Sequence, residues 1–264
     1  MGTLRNDDAP IGVFDSGVGG LTVFREIARA LPHQSLIYLG DSARVPYGTK
    51  SPQTVTRYTL EAANHLMQRG IKMLVVACNT ATAAALPTLE ERLPIPVIGV
   101  VEPGARAAVS KTRGRIGVIA TEGTVKSRAY TNAIRRIDAN VEVIESAAPL
   151  FVPLAEEGWA NTHVAREVAE IYLSPLMDAG IDTLVLGCTH YPILRGTIER
   201  VVGEKVAIVD SAETTAAAVK SEIGASHNGS GQHHFLVTDA EERFRRIAGE
   251  FLAQEIENLE LVTI

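Results

Sequence analysis

The sequence predicts an α/β protein made of two similar units, each an open and largely parallel sheet, related by a pseudo-two-fold axis with a cleft between them. Three observations lead there. Short apolar runs alternate with longer amphipathic stretches along the 264 residues. One strand-and-turn segment recurs in the second half of the chain. Hydrophobic residues make up 46% and charged residues 21%, a globular balance that excludes collagen, coiled coil and intrinsic disorder. A chain of this length buries well over half of its unfolded surface and needs no disulfide or metal staple.

Taken in order, Ile11 to Phe14, Leu36 to Leu39, Leu74 to Ala77 and Val97 to Val100 read as buried strands, being short and rich in Val, Ile and Leu. Between them, 21–31, 53–69 and 80–92 carry helix formers at amphipathic spacing. Pro52, after Ser51, suits a first helical turn, and Gly70 suits a helix end. Strands follow near 115–120, 141–145, 182–187 and 206–209, with helices near 125–137, 162–179 and 193–202. A strand at 235–237, a helix at 240–254 and a strand at 259–263 close the chain. Strand, helix, strand in this order implies right-handed crossovers and a parallel sheet covered on both faces. The stretch 224–234, rich in Gly, Ser, Asn and His, is expected to be flexible.

The repeat is the most informative feature. IKMLVVACNTAT at 71–82 aligns without gaps on IDTLVLGCTHYP at 181–192, 110 residues later. IGVFDSG at 11–17 is echoed by IGVIATEG at 116–123, at an offset of 105. A period of about 20–50 residues would mean a solenoid; one echo at this distance means two similar α/β units. It puts both cysteines of the chain, Cys78 and Cys188, at the same place in each.

The net charge of −6, from 25 basic and 31 acidic residues, suits a soluble protein and argues against a nucleic-acid or membrane surface. The short basic clusters, Lys111 with Arg113 and Arg115, and Arg243 with Arg245 and Arg246, read as solvated faces. The opening MGTLRNDDAP has no apolar core, so no signal peptide is expected, and its asparagine at position 6 does not fit myristoylation. No window approaches the ~18 apolar residues of a membrane span. Two cysteines do not make a disulfide scaffold, and a cytoplasmic location is expected.

In an open α/β sheet, ligands bind beyond the carboxyl ends of the strands. Cys78 and Cys188 each follow an apolar run and precede polar residues, which places each thiol near a helix N-terminus. Backbone N–H groups there favour thiolates and anions. Two facing units put two such thiols on opposite sides of one cleft. Asn79, Thr80, Thr189 and His190 supply hydrogen-bond partners for a carboxylate or amino group, and Asp15 and Ser16 belong to the same rim. Two equivalent acid/base groups flanking one ligand are what two-base proton exchange at an amino-acid Cα requires, with donors preorganised for the carbanion.

Lys50, Lys72 and Lys111 have no supporting phosphate motif, so no pyridoxal phosphate and no other cofactor is expected. The thiols and His190 match no zinc spacing. The run DSGVGGL at 15–21 lacks both the GxGxxG spacing and a P-loop lysine. Its Gly17, Gly19 and Gly20 either carry Asp15 and Ser16 to the ligand or simply permit a strand-to-helix turn. His33, His65, His163, His227, His233 and His234 lack such context and read as surface. Two further readings stay open. One is a thiol enzyme of one-sided chemistry, in which a single cysteine is essential; the other is a binding module without turnover. Free cysteine also packs as a small hydrophobe.

The segments GVFDSGVGGLTV (12–23), YLGDSARVPYG (38–48), ACNTAT (77–82), GVIATEGTVKS (117–127) and LVLGCTHYP (184–192) resemble the glutamate racemases of the aspartate/glutamate racemase superfamily. They occur in the same order, from residue 11 to about 215; the segment 224–234 is not matched. The resemblance implies cofactor-free interconversion of L- and D-glutamate, supplying D-glutamate for peptidoglycan; another superfamily substrate, such as aspartate, is the alternative. It implies that Cys78 and Cys188 are the catalytic acid/bases, Cys78 acting on D-glutamate and Cys188 on L-glutamate. Asp15 and His190 would assist their respective thiols and contact substrate, with Glu156 behind His190. Ser16, Tyr47, Gly48, Asn79, Thr80, Thr121, Thr124 and Thr189 would hold the amino and carboxylate groups. Tyr47 and Gly48 lie in a turn with Pro46, where backbone N–H groups suit a carboxylate. The resemblance further implies a discontinuous first domain, 1–98 plus 211–264, around a second at 99–210, and a homodimer.

Overall fold

The computed structural model describes residues 9–224 and 230–264. The apolar runs form the strands, and the amphipathic stretches between them form helices that cover the sheets. In chain order the first half contains β1 (Ile11–Asp15), α1 (Leu21–Ala30), β2 (Leu36–Gly40), α2 (Pro52–Gln68), β3 (Met73–Val76), α3 (Asn79–Arg92), β4 (Val97–Gly99) and α4 (Val101–Lys111). The second half contains β5 (Arg115–Ala120), α5 (Glu122–Ser127), α6 (Ala129–Ile137), β6 (Glu142–Ala147), α7 (Phe151–Glu156), α8 (His163–Asp178), β7 (Thr183–Gly187), α9 (Arg195–Val202) and β8 (Ala207–Asp210). The chain ends with α10 (Ser211–Ile223), β9 (His233–Val237), α11 (Glu241–Leu252) and β10 (Leu259–Leu261).

Every predicted strand forms, with ends shifted by a residue or two. Three helices escape the periodicity. In α4, Pro103 and Gly104 disguise the first turns; α7 is short and holds Pro153; α10 is rich in Ala and Thr, so its apolar stripe is weak. The side chain of Asp210 caps α10 by accepting from Ala212 N. The helix expected at 125–137 is two, α5 and α6, broken at Arg128 in the left-handed region (φ 55°). Of the segment 224–234 expected to be flexible, 225–229 lie outside the described residues, and His233 and His234 belong to β9.

The histidine reading needs correction too. His33, His163 and His234 are exposed, but His65 and His233 are half-buried. Strand pairing carries the His233 ring inward, edge-on to Phe24 at 5.1 Å between centroids. His227 lies outside the described residues.

Both sheets are parallel throughout, with strand orders β10-β9-β2-β1-β3-β4 and β6-β5-β7-β8. Without β9 and β10 the two orders are the same, so the sequence echo is an echo in space. Gly12 pairs with Leu74 as Gly117 pairs with Leu184. Ile71 and Ile181 fill the space over those glycines, where an added Cβ would stand 2.8 Å and 2.7 Å from their Cδ1 atoms. The largest apolar core runs through both halves, from Val13, Phe24 and Ile27 across Ala212, Ala216 and Val219 of α10 to Leu184 and Leu186. Helix α10 lies on α1 of the first half and on β7 and β8 of the second, so one helix joins the two halves. No helix among the described residues is long and apolar enough to cross a membrane.

Gly40 ends β2 where the backbone crowds. An added Cβ would stand 2.5 Å from Gly17 O and 3.0 Å from the Phe244 ring, and the Tyr38 hydroxyl already donates to that same carbonyl at 2.8 Å. Gly40→Ala is expected to destabilise the protein by about 1–3 kcal/mol, read as a lower urea midpoint. An unchanged midpoint contradicts this packing.

Candidate active site

Strands β1 and β3 of one sheet and β5 and β7 of the other end at a shared cleft of about 80 Å³. The first half contributes Ser16, Tyr47, Gly48, Cys78, Asn79 and Thr80 to its wall; the second contributes Thr121, Glu156, Cys188, Thr189 and His190. Gly17, Val45, Pro46 and Val152 complete the lining. Both cysteines are free and buried.

Two expected ligands stop short of the cleft wall. Asp15 is fully buried beneath it: Oδ2 accepts from Gly17 N at 2.9 Å, and Oδ1 accepts from the Thr189 hydroxyl at 3.4 Å. The turn is tight because a Cβ on Gly20 would lie 2.4 Å from Asp15 Cβ. Thr124 is likewise buried, behind Thr80 (3.3 Å) and Thr121 (3.1 Å). Thr80 and Thr121 meet directly at 2.9 Å, one from each half. Tyr47 lines the cleft, but its hydroxyl donates to Asp41, which also pairs with Arg44 at 2.6 Å.

The thiols share an address but not an environment. Cys78 is the N-cap of α3, its Sγ accepting from Ala81 N at 3.5 Å, and its thiol lies 3.5 Å from Ser16 Oγ. Burial and the neighbouring Asp15 nevertheless push this thiol up to about 12, against the downward pull of those two contacts. Cys188 does not begin an α-helix, contrary to the expectation from spacing; a 3₁₀ turn, Tyr191–Leu194, follows, with Pro192 in its first turn.

What Cys188 has instead is His190, whose Nδ1 is 3.9 Å from Sγ. His190 Nε2 lies 3.0 Å from Glu156 Oε1, and Arg243 Nη2 lies 2.9 Å from Glu156 Oε2. Burial pulls the imidazole down, but its contacts with Cys188 and Glu156 outweigh burial and push it up to about 10. Burial would raise Glu156, yet His190 and Arg243 hold it below the usual carboxylate range. Phe251 closes the back of the imidazole, edge-on at 5.5 Å between centroids.

With this geometry in place, comparison with known proteins is decisive. Residues 11–219 match the family described as Asp/Glu/Hydantoin racemase. The chain belongs to that racemase family.

A protein of Geobacter metallireducens named glutamate racemase is 55% identical over 260 residues, covering 96% of each chain. A glutamate racemase isoform of Bacillus anthracis superposes with a TM-score of 0.93 at 42% identity, covering 98% of this chain and 99% of that one. The glutamate racemase of Francisella tularensis, solved with D-glutamate, gives a TM-score of 0.90 at 37% identity, covering 97% and 98%.

Sequence reasoning did not find Asp41, Tyr130, Arg243 or Phe251 around this racemase-family site. Arg243 belongs to a basic run read as a solvated face; it is half exposed, yet its guanidinium is committed to Glu156 and Glu157. Tyr130 and Phe251 carried no signal, because their contacts join residues far apart in the chain.

The charge relay behind Cys188 can be tested directly. Glu156→Gln removes the anion facing His190, so the imidazole should titrate well below about 10, read by NMR. A histidine raised above its usual ~6.5 contributes stability that is fully present below that value and is lost as pH rises through the folded-state value. Urea stability should therefore fall between pH 6.5 and 10 in the parent, and less steeply in the variant. Identical titrations would contradict the relay.

Proposed function

We infer that this protein is a glutamate racemase that moves the Cα proton between two cysteines on opposite faces of the substrate, without a cofactor. The observation that carries this reading is the placement of Cys78 and Cys188, from equivalent positions of the two halves, on the wall of one cleft. The names of the relatives and the D-glutamate bound to the Francisella enzyme support the substrate.

The electrostatics support a division of labour. His190 brings positive charge beside Cys188, which acts as the base; burial keeps Cys78 a neutral thiol, ready to donate. In the L-to-D direction the Cα–H electron pair stays on carbon as the proton passes to Cys188 Sγ. The Cys78 proton then bonds to carbon from the other face, leaving Cys78 the thiolate that starts the reverse reaction. Charge developing at Cα spreads onto the adjacent carboxylate, where the Asn79 amide and the Thr80 hydroxyl are the donors on the cleft wall. Ser16 lies beside Cys78, and Asp15 and Glu156 act from behind, by fixing the turn after β1 and the charge of His190. Among the described residues, those lining the cleft include no lysine.

The return of β9 and β10 to the first sheet supports a discontinuous first domain, 1–98 plus 211–264, around a second at 99–210. Free catalytic thiols suit the reducing cytoplasm, where D-glutamate would feed peptidoglycan synthesis.

Given L-glutamate and no pyridoxal phosphate, the purified protein should carry the optical rotation to zero, with aspartate turned over far more slowly. Cys78→Ala and Cys188→Ala should each lose about 100- to 10,000-fold in rate with unchanged circular dichroism. Unchanged rotation with glutamate overturns the substrate; near-parent turnover by either variant overturns the two-base assignment and leaves one-sided thiol chemistry.

A further inference from the structure

We propose that Tyr130 is a positioning residue that aims the Asn79 side-chain amide into the cleft as a donor to a substrate carboxylate, a role that rests on the racemase reading above. Tyr130 is not part of the cleft wall. It is fully buried on α6, and its hydroxyl crosses to the other half to donate to Asn79 Oδ1 at 2.7 Å. Asn79 follows Cys78 directly and lines the cleft, and its Nδ2 is buried with no hydrogen-bond partner. A buried amide N–H₂ without an acceptor is costly, so the empty valence marks where a ligand acceptor belongs.

A primary amide is nearly symmetric in shape, and turning it over exchanges donor for acceptor. Tyr130 breaks that symmetry. Burial, with the negative charges at Cys188 and Glu145, raises the phenol far above its ordinary range, so it keeps its proton and needs an acceptor. Oδ1 is that acceptor, which leaves Nδ2 for the cleft. With the amide reversed, a carboxylate would face Oδ1, and two acceptors would oppose each other.

The ring is held where it must be. An added Cβ on Gly104 would stand 3.3 Å from Tyr130 Cε1, and one on Gly187 would stand 3.0 Å from Cε2. Gly187 immediately precedes Cys188, and the equivalent position before Cys78 is Ala77, so the repeat departs from itself where the ring needs room. One side chain therefore leans on the segment of one thiol and orients the residue beside the other.

The test is a double-mutant cycle with kcat and KM measured from both enantiomers. Tyr130→Phe keeps the ring and removes the hydroxyl. It should lower kcat/KM about tenfold, chiefly in kcat, because the donor matters most when charge reaches the carboxylate. The loss must be equal in both directions, since the enantiomers have equal energy. On an Asn79→Ala background the same change should cost less than about twofold. Additive losses, or no loss from Tyr130→Phe alone, overturn the proposal.

Should Tyr130→Phe fail to fold, Gly104→Ala, which presses on the same ring edge, should show the same dependence on Asn79. If the parent protein does not turn over glutamate, the function reading fails separately. The positioning is then read from the Asn79 side-chain amide resonances of ¹⁵N-labelled protein, assigned by their loss in Asn79→Ala. They should shift in Tyr130→Phe, and unmoved resonances overturn the proposal.

Discussion

Two halves can act on one small molecule only if the turn after β1 lies against the segment after β7, and that approach leaves no space for a carbon atom. A Cβ on Gly19 would stand 2.4 Å from the His190 ring and from Thr189 Oγ1. Thr22, one turn later, donates to Thr189 O at 2.9 Å. Across the cleft, Gly123 N donates to Gly48 O at 2.9 Å, and a Cβ on Gly48 would lie 2.9 Å from Thr121 Cβ. The glycines of the DSGVGG run thus serve neither as a phosphate cradle nor as a mere strand-to-helix turn. Gly19 lets one half close on the other, Gly17 and Gly20 pack within the first half against Val45 and Asp15, and cleft volume, thiol placement and the burial that raises Cys78 follow from that closure.

Within the closed cleft, the repeat supplies geometry and the exceptions to it supply chemistry. Parallel strands in the same order and register deliver each cysteine to the same place at a strand's carboxyl end. Mirror-image substrates require that equivalence of position; they do not require equal acidity. At offset 110, Thr80 and His190 occupy equivalent positions; the imidazole stands by Cys188, whereas the Thr80 hydroxyl meets Thr121 and Thr124. Asp15 and Ala120 are equivalent at offset 105, so only the first half buries a carboxylate under its thiol. The two thiols thus share a position while their surroundings differ: a buried carboxylate stands by Cys78 and a raised histidine by Cys188.

What was legible in the sequence follows the range of the physics. Val, Ile and Leu runs bury on both faces of a parallel sheet, so β1, β2, β3, β5, β7 and β8 could be read from composition. The pairing of Cys78 with Cys188 was readable because a repeat carries position with it. Helices α4 and α7 were hidden by proline, and α10 by its many alanines, though packing on α1 and α4 makes it a helix. The site's support was hidden for a different reason: Arg243 reaches Glu156 across 87 residues and Tyr130 reaches Asn79 across 51, distances that no local pattern records. Asp15 shows the limit most clearly. Its place at the end of β1 was evident, but not that its carboxylate turns down to Gly17 N and away from the cleft.

The central claim, that two thiols work from opposite faces, is tested most directly by L-glutamate in deuterated water stopped at a few per cent conversion, with α-deuterium measured separately in each enantiomer. The account predicts one deuterium in essentially all of the D-glutamate, delivered from Cys78, while the remaining L-glutamate keeps its proton. Deuterium entering both enantiomers equally, or D-glutamate that retains the original proton, would mean that one group serves both faces and would contradict it.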